Sequence, residues 1–251
     1  VRIDIITIFP GMFVALGESI VRRAEDAGLA QIHITDLREH STNKHRNVDD
    51  YSYGGGPGMV MQSEPFFRAV DALRQEDPRE GRIILLGPRG KPFNQRKAQE
   101  LASLERIFLL CGHYEGVDER VRDYLADEEI SLGDFVLTGG EIPAMAVADA
   151  VIRLLPGVLP RESVEQESFT DELLEFPQYT RPAEFRGLSV PDILLSGDHE
   201  KIRRWRREQS LLQTLSSRPD LLKKAELTKE ERDMLRLEAL RLGLSELTHD
   251  F

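Results

Sequence analysis

The residues with the clearest chemical potential lie in SLGDFVLTGGEIPAM, Ser131 to Met145. A short apolar run, Phe135 to Leu137, stands between Gly133 and the pair Gly139 and Gly140, and Glu141 follows with an apolar helical pattern that continues to Leu155. Glycines on both sides of a buried run let the backbone approach a ligand closely. The spacing is not that of a dinucleotide-binding turn and no Gly-Lys-Ser/Thr follows, so neither a pyrophosphate nor a nucleoside triphosphate is the natural guest. The segment also contains no Lys or Arg. Such a cleft would read its ligand through main-chain N–H and C=O groups, and it suits an adenine-like edge that carries no phosphate.

Two more glycine-bounded loops, Gly87 to Gly90 and Gly112 to Gly116, could close on the same ligand. In GHYEG, Glu115 sits between glycines at a strand end, where a carboxylate can accept hydrogen bonds from a bound base. Around these loops stand Asp118, Glu119, Arg120, Asp134, Glu141, Arg153, Glu165 and Glu167, most of which read plainly as helix-end or surface groups. Further on, KIRRWRRE places five cations, Lys201, Arg203, Arg204, Arg206 and Arg207, in seven residues. A solvated face and a phosphate-binding ridge are about equally good readings of it, and the acidity of the rest of the chain favours the ridge. The six histidines show no metal-ligand spacing and no Gly-x-Ser-x-Gly elbow is present, so no metal site and no covalent catalysis is expected.

The elements that would position these residues alternate in the N-terminal half. RIDIITIF reads as a strand, Met12 to Ala27 as a helix stopped by Gly28, QIHITDL as a second strand, and RIILL and RIFLLC as buried strands. A helix capped by Ser63 reaches about Gln75, and one capped by Asn94 reaches Leu104. Buried runs separated by helices of this length predict an α/β domain with a largely parallel sheet, whose ligand sits beyond the carboxyl ends of the strands. The polar segment Arg38 to Gly58, with GGGPG beside Tyr51 and Tyr53, is too long for a simple connector and reads as a lid. After Pro156 the pattern changes to a Pro- and acid-rich stretch. We therefore expect a domain over residues 1–159, a flexible linker over 160–176 and a small all-helical module over 177–251. In that module Ile202, Trp205 and Leu212 form the core stripe of one helix, and further helices start at Ser217 and at Thr228, the latter with a capping box to Glu231.

With 251 residues, 40% hydrophobic and 31% charged, the chain can bury a full core. No apolar stretch is long enough to cross a bilayer and no basic leader precedes the first strand, so neither a membrane nor a secretory destination is expected. The single cysteine, Cys111, lies in an apolar run, consistent with a reducing cytoplasm. A net charge of −11 argues against indiscriminate nucleic-acid binding, DNA included, but not against a local basic patch.

In order and nearly end to end, the chain carries TIFPGMF, HRNVDDYSYGGGPGM, LCGHYEGVDERV, LGDFVLTGGEIPAM, RLLPGVL, QYTRP and ILLSGDHEKIRRWRREQSL. In these seven motifs together it resembles the bacterial tRNA (guanine-N1)-methyltransferase family of the SPOUT class. The resemblance implies that the strand-end loops form a deep trefoil knot, a topology the usual rule against threaded loops would not predict. It also implies a homodimer with both active sites at the subunit interface. S-adenosylmethionine, bound in a bent form, would map onto Leu86, Gly87, Pro88, Gly112, Tyr114, Leu132, Gly133, Asp134, Phe135, Val136 and Leu137, with Gly139, Gly140 and Pro143 closing the wall. Glu115 would contact the target guanine, Asp49 and Asp50 would shape the substrate side, and Lys201, Arg203, Arg204 and Arg207 would meet the backbone of the anticodon stem-loop.

The reaction implied is methyl transfer to N1 of the guanosine 3′-adjacent to the anticodon. Neutral guanine carries a proton on N1, so one group must remove it and another must hold the charge that gathers on O6. The family gives the first task to a linker acid and the second to an arginine that matches Arg153. At the linker position family members commonly have Asp; here VEQESF places Glu167, with Glu165 as the reserve. Two further readings stand beside this one: a tRNA-binding homologue with weakened catalysis, and a SPOUT enzyme acting at another RNA position. Magnesium accompanies the tRNA in some family members, and no carboxylate cage for it is legible here.

Overall fold

Alternating side chains of buried strands sort onto two faces, and both faces here are apolar. The computed structural model describes residues 1–160, 167–169, 171–244 and 246, and the chain divides into two units, Val1–Pro160 and Arg161–Phe251. In the first unit the elements run β1 (Arg2–Thr7), a 3-10 helix (Pro10–Gly17), α1 (Ser19–Asp26), β2 (Gln31–Asp36), β3 (Asp49–Tyr51), β4 (Met59–Met61), α2 (Ser63–Glu76), β5 (Arg82–Pro92), α3 (Gln95–Ala102), β6 (Arg106–Cys111), α4 (Glu119–Tyr124), β7 (Glu128–Ser131) and α5 (Glu141–Ile152). The central sheet has the order β2-β1-β6-β5-β7 and every pairing in it is parallel.

Ile3, Ile5, Ile84, Ile107, Leu109 and Cys111 face the layer of α1, α3 and α5, while Ile6, Ile83, Leu85, Phe108 and Leu110 face α2 and α4. Coverage on both faces explains why these strands read as continuous apolar runs. A charge at the centre of the sheet is paired: Asp4, fully buried, lies between Arg2 (2.8 Å) and Arg106 (2.7 Å). Near its end β5 bulges at residues 87–90, so that both Leu86 and Lys91 stand opposite Ile130 of β7. The loop between the strand-like runs RIILL and KP is thereby pushed out at the carboxyl edge of the sheet.

Several expected boundaries move. The helix expected over Met12 to Ala27 is broken at Glu18, an extended residue followed by Ser19 with φ 56°, and its first part is 3-10 rather than α. Ser63 is the first residue of α2 and not its cap; Gln62 holds the cap position without a side-chain bond. Asn94 does cap α3, accepting from the Lys97 N–H at 3.0 Å. The expected lid contains β3, which pairs with β4 just beyond it, and β4 is tied to the loop after β6 by Glu115 N–H to Met59 O and Met61 N–H to Gly116 O.

The second unit carries a short hairpin, β8 (Glu184–Phe185) with β9 (Leu188–Ser189), and then helices α6 (Asp192–Leu195), α7 (His199–Ser217), α8 (Pro219–Leu222) and α9 (Lys229–Arg241). It is therefore not purely helical. Its core is Leu173, Leu211, Leu215, Leu222, Leu235 and Ala239. The buried face of α7 is Ser210, Leu211, Thr214 and Leu215; Ile202, Trp205 and Leu212 are only half-buried, a shift of the expected stripe by about one position around the helix. Ser217 ends α7 instead of starting the next helix, which follows Arg218. Thr228 and Glu231 form the predicted capping box on α9. Part of the stretch read as linker packs into this unit: Leu173 is in its core and the Leu174 N–H donates to Thr214 Oγ1 at 2.9 Å.

Candidate active site

At the carboxyl ends of β5, β6 and β7 three loops surround a cavity of about 580 Å³, within the range of small-molecule sites. The loop after β6 doubles back because Tyr114 and Gly116 take left-handed backbone angles, φ 60° and 130°. The segment after β7 crosses it in direct backbone contact: Gly140 N–H donates to Gly112 O at 2.8 Å, and His113 bridges to Gly139. At Gly140 a Cβ would fall 2.7 Å from the Cα of Cys111, so no other residue fits without moving backbone.

Leu86, Gly87 and Pro88 from the first loop, Gly112, Tyr114 and Glu115 from the second, and Leu132, Gly133, Phe135, Val136, Leu137, Gly139, Gly140 and Pro143 from the third all line this cavity. Asp134 does not; it is exposed and outside the lining. Asp49 and Asp50 sit on β3, away from the wall, although Val60 of β4 reaches it. The expected lid, Arg38 to Gly58, thus contributes no lining residue; Val60 follows it in the chain. Gly58, at φ +76°, lies against Glu115: a Cβ there would be 2.5 Å from Glu115 Cγ. Arg153 is half-buried at the carboxyl cap of α5 and is not among the lining residues.

Glu119, one of the acids expected around these loops, is in the lining, whereas Arg89, His113 and Glu129 are there without having been singled out from the sequence. Glycine spacing pointed to the loops but not to which polar side chains turn inward. Arg89 is neutralised by Glu119 at 2.8 Å, and the Arg89 and Arg122 guanidiniums hold the Glu119 carboxyl below its usual range. Glu129, on β7, is paired with Arg122 at 2.8 Å. Burial, with the nearby Glu141 carboxylate, pushes the Cys111 thiol well up, so Cys111 is a packed core residue and no nucleophile. Among the described residues no group of three or more His, Cys, Asp or Glu could hold a metal ion.

In the second unit a smaller cavity of about 250 Å³ is lined by Glu167, Asp171, Phe176, Arg203, Arg206, Arg207 and their neighbours. Arg206 lies over the Phe176 ring at 4.7 Å. The cations of KIRRWRRE are not equivalent. Lys201 and Arg204 pair along α7 with Asp198 and Glu200, whereas Arg207 donates to Glu231 (2.8 Å) and to Glu226 O (2.9 Å), bracing α7 against the start of α9. Arg203 is exposed and has no ion pair among the described residues. Glu165, the reserve base, lies outside the described residues.

Comparison with known proteins agrees along almost the whole chain. The family model for tRNA (Guanine-1)-methyltransferase TrmD matches residues 1–224. Among similar proteins are the tRNA (guanine-N(1)-)-methyltransferases of Halalkalibacterium halodurans, 54% identical over 236 residues (93% of this chain, 96% of the relative), and of Pelotomaculum thermopropionicum, 56% identical over 238 residues (94% and 95%). That of Moorella thermoacetica is 56% identical over 237 residues, covering 93% of this chain and 95% of its own. With more than half of the residues shared across nearly the full length of each relative, the chain belongs to the tRNA (guanine-1)-methyltransferase family.

Proposed function

We propose that this protein is an S-adenosylmethionine-dependent tRNA methyltransferase that methylates N1 of the guanosine 3′-adjacent to the anticodon. Its near full-length identity to enzymes of that name carries the reading. The cavity supports it independently: it is glycine-walled, it is lined on one side by Leu132, Phe135, Val136 and Leu137, and its one arginine is already paired. Those features fit an adenosyl group without phosphate. S-adenosylmethionine, when bound there, supplies an electrophilic methyl group and leaves as the neutral thioether.

The chain's own residues make guanine N1 reactive. Glu167 takes the N1 proton as that nitrogen's electron pair attacks the methyl carbon, and the methyl–sulfur pair departs onto sulfur. The Arg153 guanidinium holds the negative charge that develops on O6. Glu115, for whose side chain Gly58 leaves room, receives the donor edge of the base. Arg203, the least committed cation of α7, contacts phosphate, while Arg207 serves the fold.

We further propose the finer architecture of the family: the crossing loops as a trefoil knot, a small second domain for tRNA, a homodimer that completes each site, and a cytoplasmic setting. Exposed Met12, Val14, Phe135, Val136 and Ile142 in the first unit are apolar surface of the kind a second copy covers. Magnesium, if used, is held mainly by the RNA. Transfer of a tritiated methyl group to tRNA transcripts tests the proposal. A transcript with guanosine beside the anticodon accepts label and one with adenosine there does not; equal labelling of both, or of neither, refutes it.

A further inference from the structure

Three carboxylates in the first unit are almost wholly buried, and two of them have guanidinium partners: Asp4 with Arg2 and Arg106, Glu129 with Arg122. Glu141 is different. It is 2% exposed, and among the described residues neither Lys nor Arg pairs with it. One oxygen accepts from Thr7 Oγ1 at 2.8 Å, and that hydroxyl in turn accepts from the Phe9 N–H, so its proton is directed to the carboxylate. The other oxygen faces the Nδ1 of His113 at 3.9 Å, beyond hydrogen-bond distance, and that buried nitrogen has no partner of its own. As the first residue of α5, Glu141 also gains from the free N–H groups of the helix start.

This charge stands directly behind the cavity wall. A Cβ on Gly139 would lie 2.3 Å from Glu141 Oε2 and 2.4 Å from His113 Nδ1, so only a glycine's thickness separates the carboxylate from the lining. A buried carboxylate without a Lys or Arg partner is costly, and the cost is retained only where something offsets it. The donor supplies that offset if it is a sulfonium, and the product, a neutral thioether, does not.

We infer that Glu141 is a specificity-determining residue of the donor site, whose buried charge favours the cationic sulfonium donor over its neutral thioether product and so eases product release. The inference rests on the donor reading above. Charge acting through a wall, across a low-dielectric cavity, changes relative affinity without touching the ligand.

Calorimetric titration of the full-length protein with S-adenosylmethionine and with S-adenosylhomocysteine, for wild type, Glu141→Gln and Glu141→Met, tests it. Both variants should lower the preference for the sulfonium over the thioether by about tenfold. Glu141→Asp should keep that preference. A purely structural role would weaken both ligands by the same factor, and that result overturns the inference while leaving the donor reading intact. Binding of neither ligand by the wild type removes both. Should no variant fold, the wild type decides: tighter binding of the thioether overturns the inference, and binding of the sulfonium at least as tight upholds it.

Discussion

In the proposed mechanism a carboxylate and a guanidinium do the chemistry, and each should have a separable effect. Replacing Glu167 with Gln keeps shape but removes the proton acceptor, so kcat should fall on the order of a hundredfold or more. Arg153→Ala removes the charge proposed to face O6 and should cost a similar factor. In both variants S-adenosylhomocysteine should still raise the melting temperature, because neither residue lines the cavity in the first unit. Gly140→Ala should do the opposite. Its new methyl group meets the Cys111 backbone at 2.7 Å, which predicts a loss of about 1–3 kcal/mol of stability together with loss of donor binding. Glycines were the readable part of the site because their spacing carries backbone information. Polar side chains such as Glu129 and His113 were not readable, since which of them turn inward depends on the crossing of two loops far apart in sequence.

The elements show the same division between local signals and long-range ones. Caps written in three or four residues, at Asn94 and Thr228, appear as expected, because they depend only on their neighbours. The face of α7 is set by what it packs on, and Leu173, from a stretch that looks like linker, turns the helix so that Leu211 and Leu215 are buried rather than Trp205. Thr228→Ala should therefore destabilise the second unit by about 1 kcal/mol in chemical denaturation. Glu231 is pushed up by burial but pulled further down by Arg207 and the Thr228 cap, so its folded pKa lies below the unfolded value. Its stabilisation is complete above an unfolded value of about 4.3 and fades as pH falls through the folded one, an acid sensitivity that Glu231→Gln should remove. The two arginines of this helix should also separate. Arg203→Ala should raise the Michaelis constant for tRNA and flatten its salt dependence, whereas Arg207→Ala should chiefly lower thermal stability.

At the scale of the whole molecule, an acidic chain of net charge −11 must bind a polyanion through a confined patch, so affinity for tRNA should fall steeply with salt while affinity for unrelated RNA stays low. The sheet and its two covering layers were legible from apolar runs alone, whereas the proposed knot and symmetric partner leave no mark in periodicity and entered only through resemblance. The exposed apolar residues of the first unit predict a dimer by sedimentation at micromolar concentration. The claim to which all of this leads is that the methyl group reaches N1 of one guanosine. Locating the methyl group among ribonuclease fragments of the methylated tRNA, and digesting the fragment that carries it to nucleosides, tests it most directly. The product expected is 1-methylguanosine at the position 3′ of the anticodon; an unmodified tRNA, or a methyl group on any other atom or nucleoside, would contradict this.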